Sequence, residues 1–420
     1  MKMKLPNGQN LVNIVRETLN RVDPRLVDHG ERVAYLVYKM LQAEGESTPQ
    51  VLRDSSLAAL FHDVGAYKTE EIDRMAQFET GDTWEHSVYG YLFLRYMSPL
   101  KDYAPSILLH HVPYFRLRDL DVRHKKLTGL IHLADRLDVL LQVERRAFPE
   151  DFWERARRDE CFSPLAIDLM YRAMKLWDIA GLMDSGAYRT ELSELLVKVP
   201  FTREEIDVYL RMLVFAIDFR SHHTVTHTIT TESASVEIAT LLGALPDEIM
   251  LVRYGALLHD LGKIAIPVEI LEFPGKLSPQ AMTVMRTHVE ITGNILGDEI
   301  DSEIVQIALR HHEKLDGSGY PLGLTGDVLT SAQRIVAVAD VLSALHGTRS
   351  YKAAFGKEKI RTILGEMKRD NKLCPQVVDL VCGYYDEIMG NVAENCTAVL
   401  DMYNHIQEEY EELLARCMEL

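Results

Sequence analysis

The chain has 420 residues, 47% of them hydrophobic, and a formal net charge of -17. That length can bury more than one sizeable core and predicts two or three compact units. So acidic a balance excludes general nucleic-acid binding, which needs a basic footprint, yet leaves room for a small anion in a locally positive pocket.

The stretch from Met1 to Gln9 lacks the apolar core of a signal peptide, and no apolar run reaches the roughly 18 residues of a membrane span. Helical spacing of apolar residues appears first in Leu57-Ala58-Leu60-Phe61. It returns through Leu165-Leu169-Met170-Met174 and Ile206-Leu210-Leu213, then in Ile238-Leu241-Leu242 and Val305-Ile307-Ala308-Leu309. Alternating, strand-like stretches are scarce, and Pro24, Gly45, Pro99, Pro149, Pro200, Pro246, Pro267 and Pro279 cut the pattern into helices of ordinary length. The fold class expected is all-α, with an amino-terminal domain at 1–147, a helical connector at 148–213, a second domain at 214–387 and a C-terminal helix at 388–420. Along that last helix Val399, Tyr403, Ile406, Tyr410, Leu413 and Cys417 step at alternating three-four spacing, a seam that packs on the second domain or, as the runner-up, on a second copy of the chain in a homodimer. Cys161, Cys374, Cys382, Cys396 and Cys417 are dispersed without a Cys-x-x-Cys pair, which argues against a zinc ribbon or a disulfide framework and for a reducing cytoplasm.

The second half gathers donors for metal ions. His259 and Asp260 are consecutive, so on a helix they point about 100° apart and can aim an imidazole at one ion and a carboxylate between two. Around them stand His227, His288, the pair His311-His312, and Asp340 in the apolar run Arg334-Ile-Val-Ala-Val-Ala-Asp340. Nitrogen and oxygen donors with two carboxylates favour a dinuclear site for iron, manganese or another borderline ion over a structural zinc. Two such ions activate water near neutral pH and steady the attacking and leaving oxygens of an in-line displacement at phosphorus, so phosphodiester hydrolysis is the natural use.

With His259-Asp260-Leu261-Gly262-Lys263 and the run from His311 through Gly319-Tyr320-Pro321, this segment resembles the HD-GYP subfamily of HD-domain phosphohydrolases. The likeness runs from about His223 to about Lys352, roughly a third of the chain. It implies two divalent ions, iron or manganese, held by His227, His259, Asp260, His288, His311, His312 and Asp340, with Asp260 bridging. It further implies that Asp260 and Lys263 are catalytic, that Lys263 binds the scissile phosphate, that Tyr320 borders the substrate, and that Arg349 and Lys352 hold the second phosphate or a base. The activity implied is hydrolysis of a cyclic dinucleotide, cyclic di-GMP by family frequency, to the linear dinucleotide and onward to mononucleotides. Cyclic GMP-AMP is the alternative substrate, and a non-catalytic nucleotide-binding or protein-interaction module the alternative of another class. Members with three metals carry a glutamate four residues before the first histidine; here that position is His223, which favours two ions and leaves His223 as the candidate ligand of a third.

The first half repeats the ligand order about 200 residues upstream, with His29, His62-Asp63, His86, His110-His111 and Asp135. The chain therefore reads as two tandem HD-type helical domains. The first has lost what handles substrate: Ala66 stands for Lys263, Val112-Pro113-Tyr114-Phe115-Arg116 replaces the Gly-Tyr-Pro loop, and Glu144 and Ala147 stand for Arg349 and Lys352. Its ligand set is a candidate metal site with a regulatory or structural task. Trp84, Trp153 and Trp177, all outside the second domain, are read as core or boundary aromatics.

Overall fold

The computed structural model describes residues 7–21, 28–66, 84–140, 152–158, 160–218, 225–347 and 355–419. Every regular element among them is helical, and the one pairing of extended backbone is an isolated antiparallel bridge between Asp316 and Thr325. The fold is all-α, as the periodicity predicts. No helix among the described residues is long and apolar enough to cross a membrane.

The chain forms two compact units. One comprises Asn7–Met212 with Ile406–Leu420, and the other contains Leu213–His405. In the first unit the ligands sit on or just beyond α1 (His29–Glu44), α2 (Pro49–Leu60), α3 (Trp84–Met97), α4 (Ala104–Leu108) and α5 (Lys125–Asp138). α1 lies between α2 and α5 and packs also on the helix Pro164–Leu176. Its first turn is set from outside the helix. Asp28 caps it in the left-handed region at φ 60°, with its N–H donating to Asn20 Oδ1 at 2.8 Å, while Arg189 pairs with both Asp28 and Glu31. Stacking of Phe61 on Tyr209 at 5.6 Å and the Arg53–Glu205 ion pair at 2.8 Å build the 152–212 helices into this unit.

The second unit repeats the arrangement with α6 (Val225–Leu241), α7 (Pro246–Leu258), α8 (Pro279–Leu296), α9 (Ser302–Arg310) and α10 (Ser331–His346), where α6 packs on α7 and α10. Local sequence starts these helices where they are needed. Ser278 Oγ accepts the Ala281 N–H at 3.1 Å ahead of Pro279, Asp301 accepts the Glu303 N–H at 3.0 Å, and Thr330 and Gln333 cap each other's backbone.

The last helix, α11 (Tyr385–Met418), starts on the second unit, where Asn391 and Asn395 donate to Glu237 and Ser233. Its final stretch belongs to the first unit. Tyr410 stacks on Tyr89 at 4.1 Å and Glu409 accepts from Arg95 at 2.6 Å. The end of the seam therefore packs on the first unit and not on the second, and Ile406, Tyr410 and Cys417 are buried within the chain.

In each unit the glycine two residues after the His-Asp aspartate is required by close approach. A Cβ on Gly262 would lie 2.0 Å from the His288 carbonyl oxygen and 2.7 Å from Thr292 N, and one on Gly65 would lie 2.1 Å from the His86 carbonyl oxygen. These contacts seat the His-Asp turn directly on the helix that carries the next ligand. Gly262→Ala should cost about 1–3 kcal/mol through backbone displacement, seen as a lower midpoint in thermal denaturation; an unchanged midpoint would show that the two elements separate freely.

Candidate metal centres

The second unit brings its seven predicted ligands together. His227, His259 and Asp260 form one group, and His288, His311 and His312 another, each with donor atoms within 4.8 Å of one another. Asp260 faces both. Its Oδ2 lies 3.0 Å from His259 Nε2 and 3.6 Å from His227 Nε2, while its Oδ1 lies 3.3 Å from His288 Nε2. Asp340 closes the opposite side, with Oδ1 3.2 Å from His227 Nε2 and Oδ2 3.5 Å from His312 Nδ1. Two carboxylates thus stand between two sets of imidazoles, the arrangement a bridged ion pair needs.

The imidazoles are aimed by their own helices. His259, His288 and His311 each donate Nδ1–H to the carbonyl three residues earlier, that of Ala256, Met285 and Ala308, at 2.6 Å in every case. A carbonyl only accepts, so the proton is on Nδ1 and the Nε2 lone pair points inward. Ser343 does the same for His227: it donates to the His227 carbonyl at 3.0 Å, leaving its oxygen to accept from His227 Nδ1 at 3.0 Å. Such partners fix tautomer and ring plane around metal ions.

Electrostatics agree with a cation at the centre. The buried Nε2 atoms of His259, His288 and His311 and Asp260 Oδ1 have no hydrogen-bond partner. Converging buried lone pairs with nothing to bind are costly, and a divalent ion relieves that cost. Burial opposes the charged form of Asp260, but His259 and Lys263 outweigh it and hold the carboxyl well below the usual range. Burial pushes His312 down to about 3, so it is a neutral donor. Nitrogen and carboxylate donors of this kind fit borderline divalent ions.

Lys263 and Tyr320, to which the resemblance gives substrate roles, stand at the rim. Lys263 Nζ donates to Asp260 Oδ2 from the 3-10 turn Leu261–Ala265. The Tyr320 ring lies 4.6 Å from that of His312, and burial with the nearby Asp260 and Asp340 raises its hydroxyl pKa. The loop that carries Tyr320 is tied down by a residue the motif reading passed over. Buried Glu313 accepts the N–H of Leu322 at 2.7 Å and of Leu324 at 2.8 Å. Thr292 was missed too: its hydroxyl accepts the Gly262 N–H at 2.8 Å and holds the His-Asp turn. A carboxylate directly after two paired histidines was the available signal for Glu313; nothing in the sequence marked Thr292. His223, Arg349 and Lys352, together with Glu144 and Ala147, lie outside the described residues.

The first unit assembles the same cage. His29, His62 and Asp135 form one group and Asp63, His86, His110 and His111 another. Asp63 Oδ2 is 3.3 Å from His62 Nε2, and its Oδ1 is 3.6 Å from His110 Nε2, so it stands where Asp260 stands. His62 and His110 donate Nδ1–H to Ala59 and Ile107 carbonyls, as their counterparts do. Two departures matter. His29 is held by a carboxylate, Asp138, at 2.8 Å, which Arg32 grips in turn at 2.6 Å. Burial opposes charge on His29, but the hydrogen bonds to Asp135 and Asp138 outweigh it and hold its pKa up at about 10. Arg136, where the second unit has Val341, donates to His111 Nδ1 at 3.1 Å.

The two halves are similar to known proteins. A family model described as HD domain matches residues 211–377, and another of that description matches 26–140. The chain is 28% identical over 385 residues to the 3′3′-cGAMP-specific phosphodiesterase 1 of Vibrio cholerae, covering 87% of this chain and 89% of that relative. It is 41% identical over 150 residues to the cyclic di-GMP phosphodiesterase response regulator RpfG of Xanthomonas campestris, but this covers only 35% of the chain and 39% of the relative. The crystal structure of a cyclic GMP-AMP specific phosphodiesterase from V. cholerae, V-cGAP3, aligns at a TM-score of 0.57 over 93% of this chain and 97% of that one, with 17% identity, a likeness of fold. A ligand cage in each half, each under its own HD-domain match, makes this a protein of two tandem HD domains.

Proposed function

We propose that the second unit is a metal-dependent phosphodiesterase that hydrolyses a cyclic dinucleotide to the linear dinucleotide and onward to mononucleotides. The observation that carries this reading is Asp260, whose two oxygens face two separate histidine groups while Lys263 sits on it at the rim. When bound, two ions, iron or manganese in this proposal, supply water activation near neutral pH and Lewis-acid stabilisation of phosphoryl oxygens. His227, His259, Asp260, His288, His311, His312 and Asp340 would hold them. Lys263 neutralises charge that grows on the phosphoryl oxygens, Tyr320 walls the pocket and the Glu313-tied loop keeps it in place. Arg349 and Lys352 take the second phosphate or a base, and His223 is left without a third ion.

Cyclic di-GMP is the first substrate to offer. Cyclic GMP-AMP is favoured by one specific observation: the relative that aligns with 87% of the chain, across both units, is specific for that dinucleotide. Turnover by anaerobically prepared protein with added iron or manganese, offered cyclic di-GMP, cyclic GMP-AMP and cyclic di-AMP side by side, decides. Linear product from one of them supports the reading; metal-loaded protein inert on all three removes it in favour of a binding module. Free thiols at Cys374, Cys382, Cys396 and Cys417 fit the reducing cytoplasm in which we place the reaction.

The first unit, in this proposal, binds metal through His29, His62, Asp63, His86, His110, His111 and Asp135 without turning over substrate, because Ala66 offers no cation where Lys263 stands. Asp63→Ala should lower the metal content of the whole protein while leaving kcat within about threefold of wild type. Complete loss of turnover with the helical circular dichroism intact would instead make the first centre catalytic.

A further inference from the structure

Arg286 lies on α8 two residues before His288, with its side chain exposed. Its guanidinium carbon stands 4.7 Å from the centroid of the Tyr320 ring, and that ring lies 4.6 Å from the ring of His312. One aromatic ring therefore separates the arginine from a metal ligand. No carboxylate among the described residues pairs with Arg286, although the chain carries 63 acidic residues against 46 basic ones. Seated on an aromatic face, a guanidinium keeps its plane while its N–H edges stay available, and the planar fork matches two oxygens of a phosphate.

The duplicated unit shows what happens to this position where substrate groups are gone. Two residues before His86 stands Trp84, packed against Leu109, Val112 and Leu117. The cation is absent there together with the lysine, replaced by Ala66, and the Gly-Tyr-Pro loop, replaced by Val112-Pro113-Tyr114. A residue needed only to pack the ligand helix has no reason to follow the substrate groups in this way.

We propose that Arg286 is a specificity-determining residue of the phosphodiesterase site, its guanidinium binding the uncleaved phosphate of the cyclic dinucleotide over the face of Tyr320; this rests on the function proposed above. The test compares R286A and R286K with wild type on the turned-over cyclic dinucleotide and on bis(p-nitrophenyl) phosphate, a diester with one phosphate and no nucleobase. R286A should raise KM for the cyclic dinucleotide about ten- to a hundredfold, the range one charge-assisted hydrogen-bonded pair supplies, with a much smaller change in kcat. Its loss in kcat/KM on the small diester should be at least about tenfold less, and R286K should recover part of the KM because it keeps charge without the fork. An unaltered KM overturns the proposal, as does an equal loss on both substrates, which would make Arg286 a prop for Tyr320. Wild type inert on every cyclic dinucleotide overturns this proposal and the function together, whereas active wild type with an unaltered R286A overturns this one alone.

Discussion

Asp260→Ala should abolish turnover, with kcat falling at least about a thousandfold, equivalent to ~4 kcal/mol of lost transition-state stabilisation. The reason is positional. One oxygen of this carboxylate faces His227 and His259, the other faces His288, and among the described residues only Asp340, on the opposite side, also stands between the two groups. On the proposed reading its removal would take a ligand from two ions at once, and it leaves several buried imidazoles facing each other with one charge fewer to attract a cation. Metal content should fall with activity, while circular dichroism remains helical because His259, His288 and His311 are still anchored to their own helices. Retained metal with lost turnover would instead assign Asp260 to proton handling; retained turnover would sink the bridged arrangement altogether.

Lys263→Ala should lower kcat about a hundred- to a thousandfold, the cost of deleting one preorganised group aimed at developing charge, yet leave metal content near that of wild type. Lys263 is about one-fifth exposed and rests on Asp260 Oδ2, so it sits at the mouth of the cage without filling a ligand position. An incoming phosphodiester offers this ammonium a second anion. Atomic absorption on the purified variant separates the two roles. If the substitution strips the metals, Lys263 acts by holding Asp260, and its place in phosphate binding is wrong.

Most of this centre was legible because its residues come as short chemical words. His259-Asp260, His311-His312 and Asp340 in an apolar run keep their order, and the same order recurs upstream, which random placement hardly produces. The helical class was legible for a simpler reason, that apolar spacing near 3.6 ran through nearly every segment. What stayed hidden depends on contacts between distant segments. Asp138 is one helical turn beyond Asp135, yet only the packing of α5 on α1 makes it the partner of His29. Thr292 acts on the turn 30 residues before it, and Arg286 gains meaning only from Tyr320 lying beside it. The final stretch of α11 was read as resting on the second domain because sequence neighbours usually pack together; Tyr89 and Arg95 offered it a stacking face and a charge on the first unit.

The carbonyl anchors of the histidines have a consequence for how such a protein changes over time. The rings of His62, His110, His259, His288 and His311 take their direction from a backbone carbonyl a single turn away, so their aim survives almost any replacement in the loops around them. The aim of these ligands is therefore stored at helix ends, whereas Lys263 and Tyr320 stand in the connecting segments. The first unit keeps the carbonyl anchors of His62 and His110, while Ala66 and Val112-Pro113-Tyr114 stand for the lysine and the Gly-Tyr-Pro loop. Retargeting this enzyme to another phosphodiester is accordingly a problem of grafting loops onto a cage that keeps its own shape.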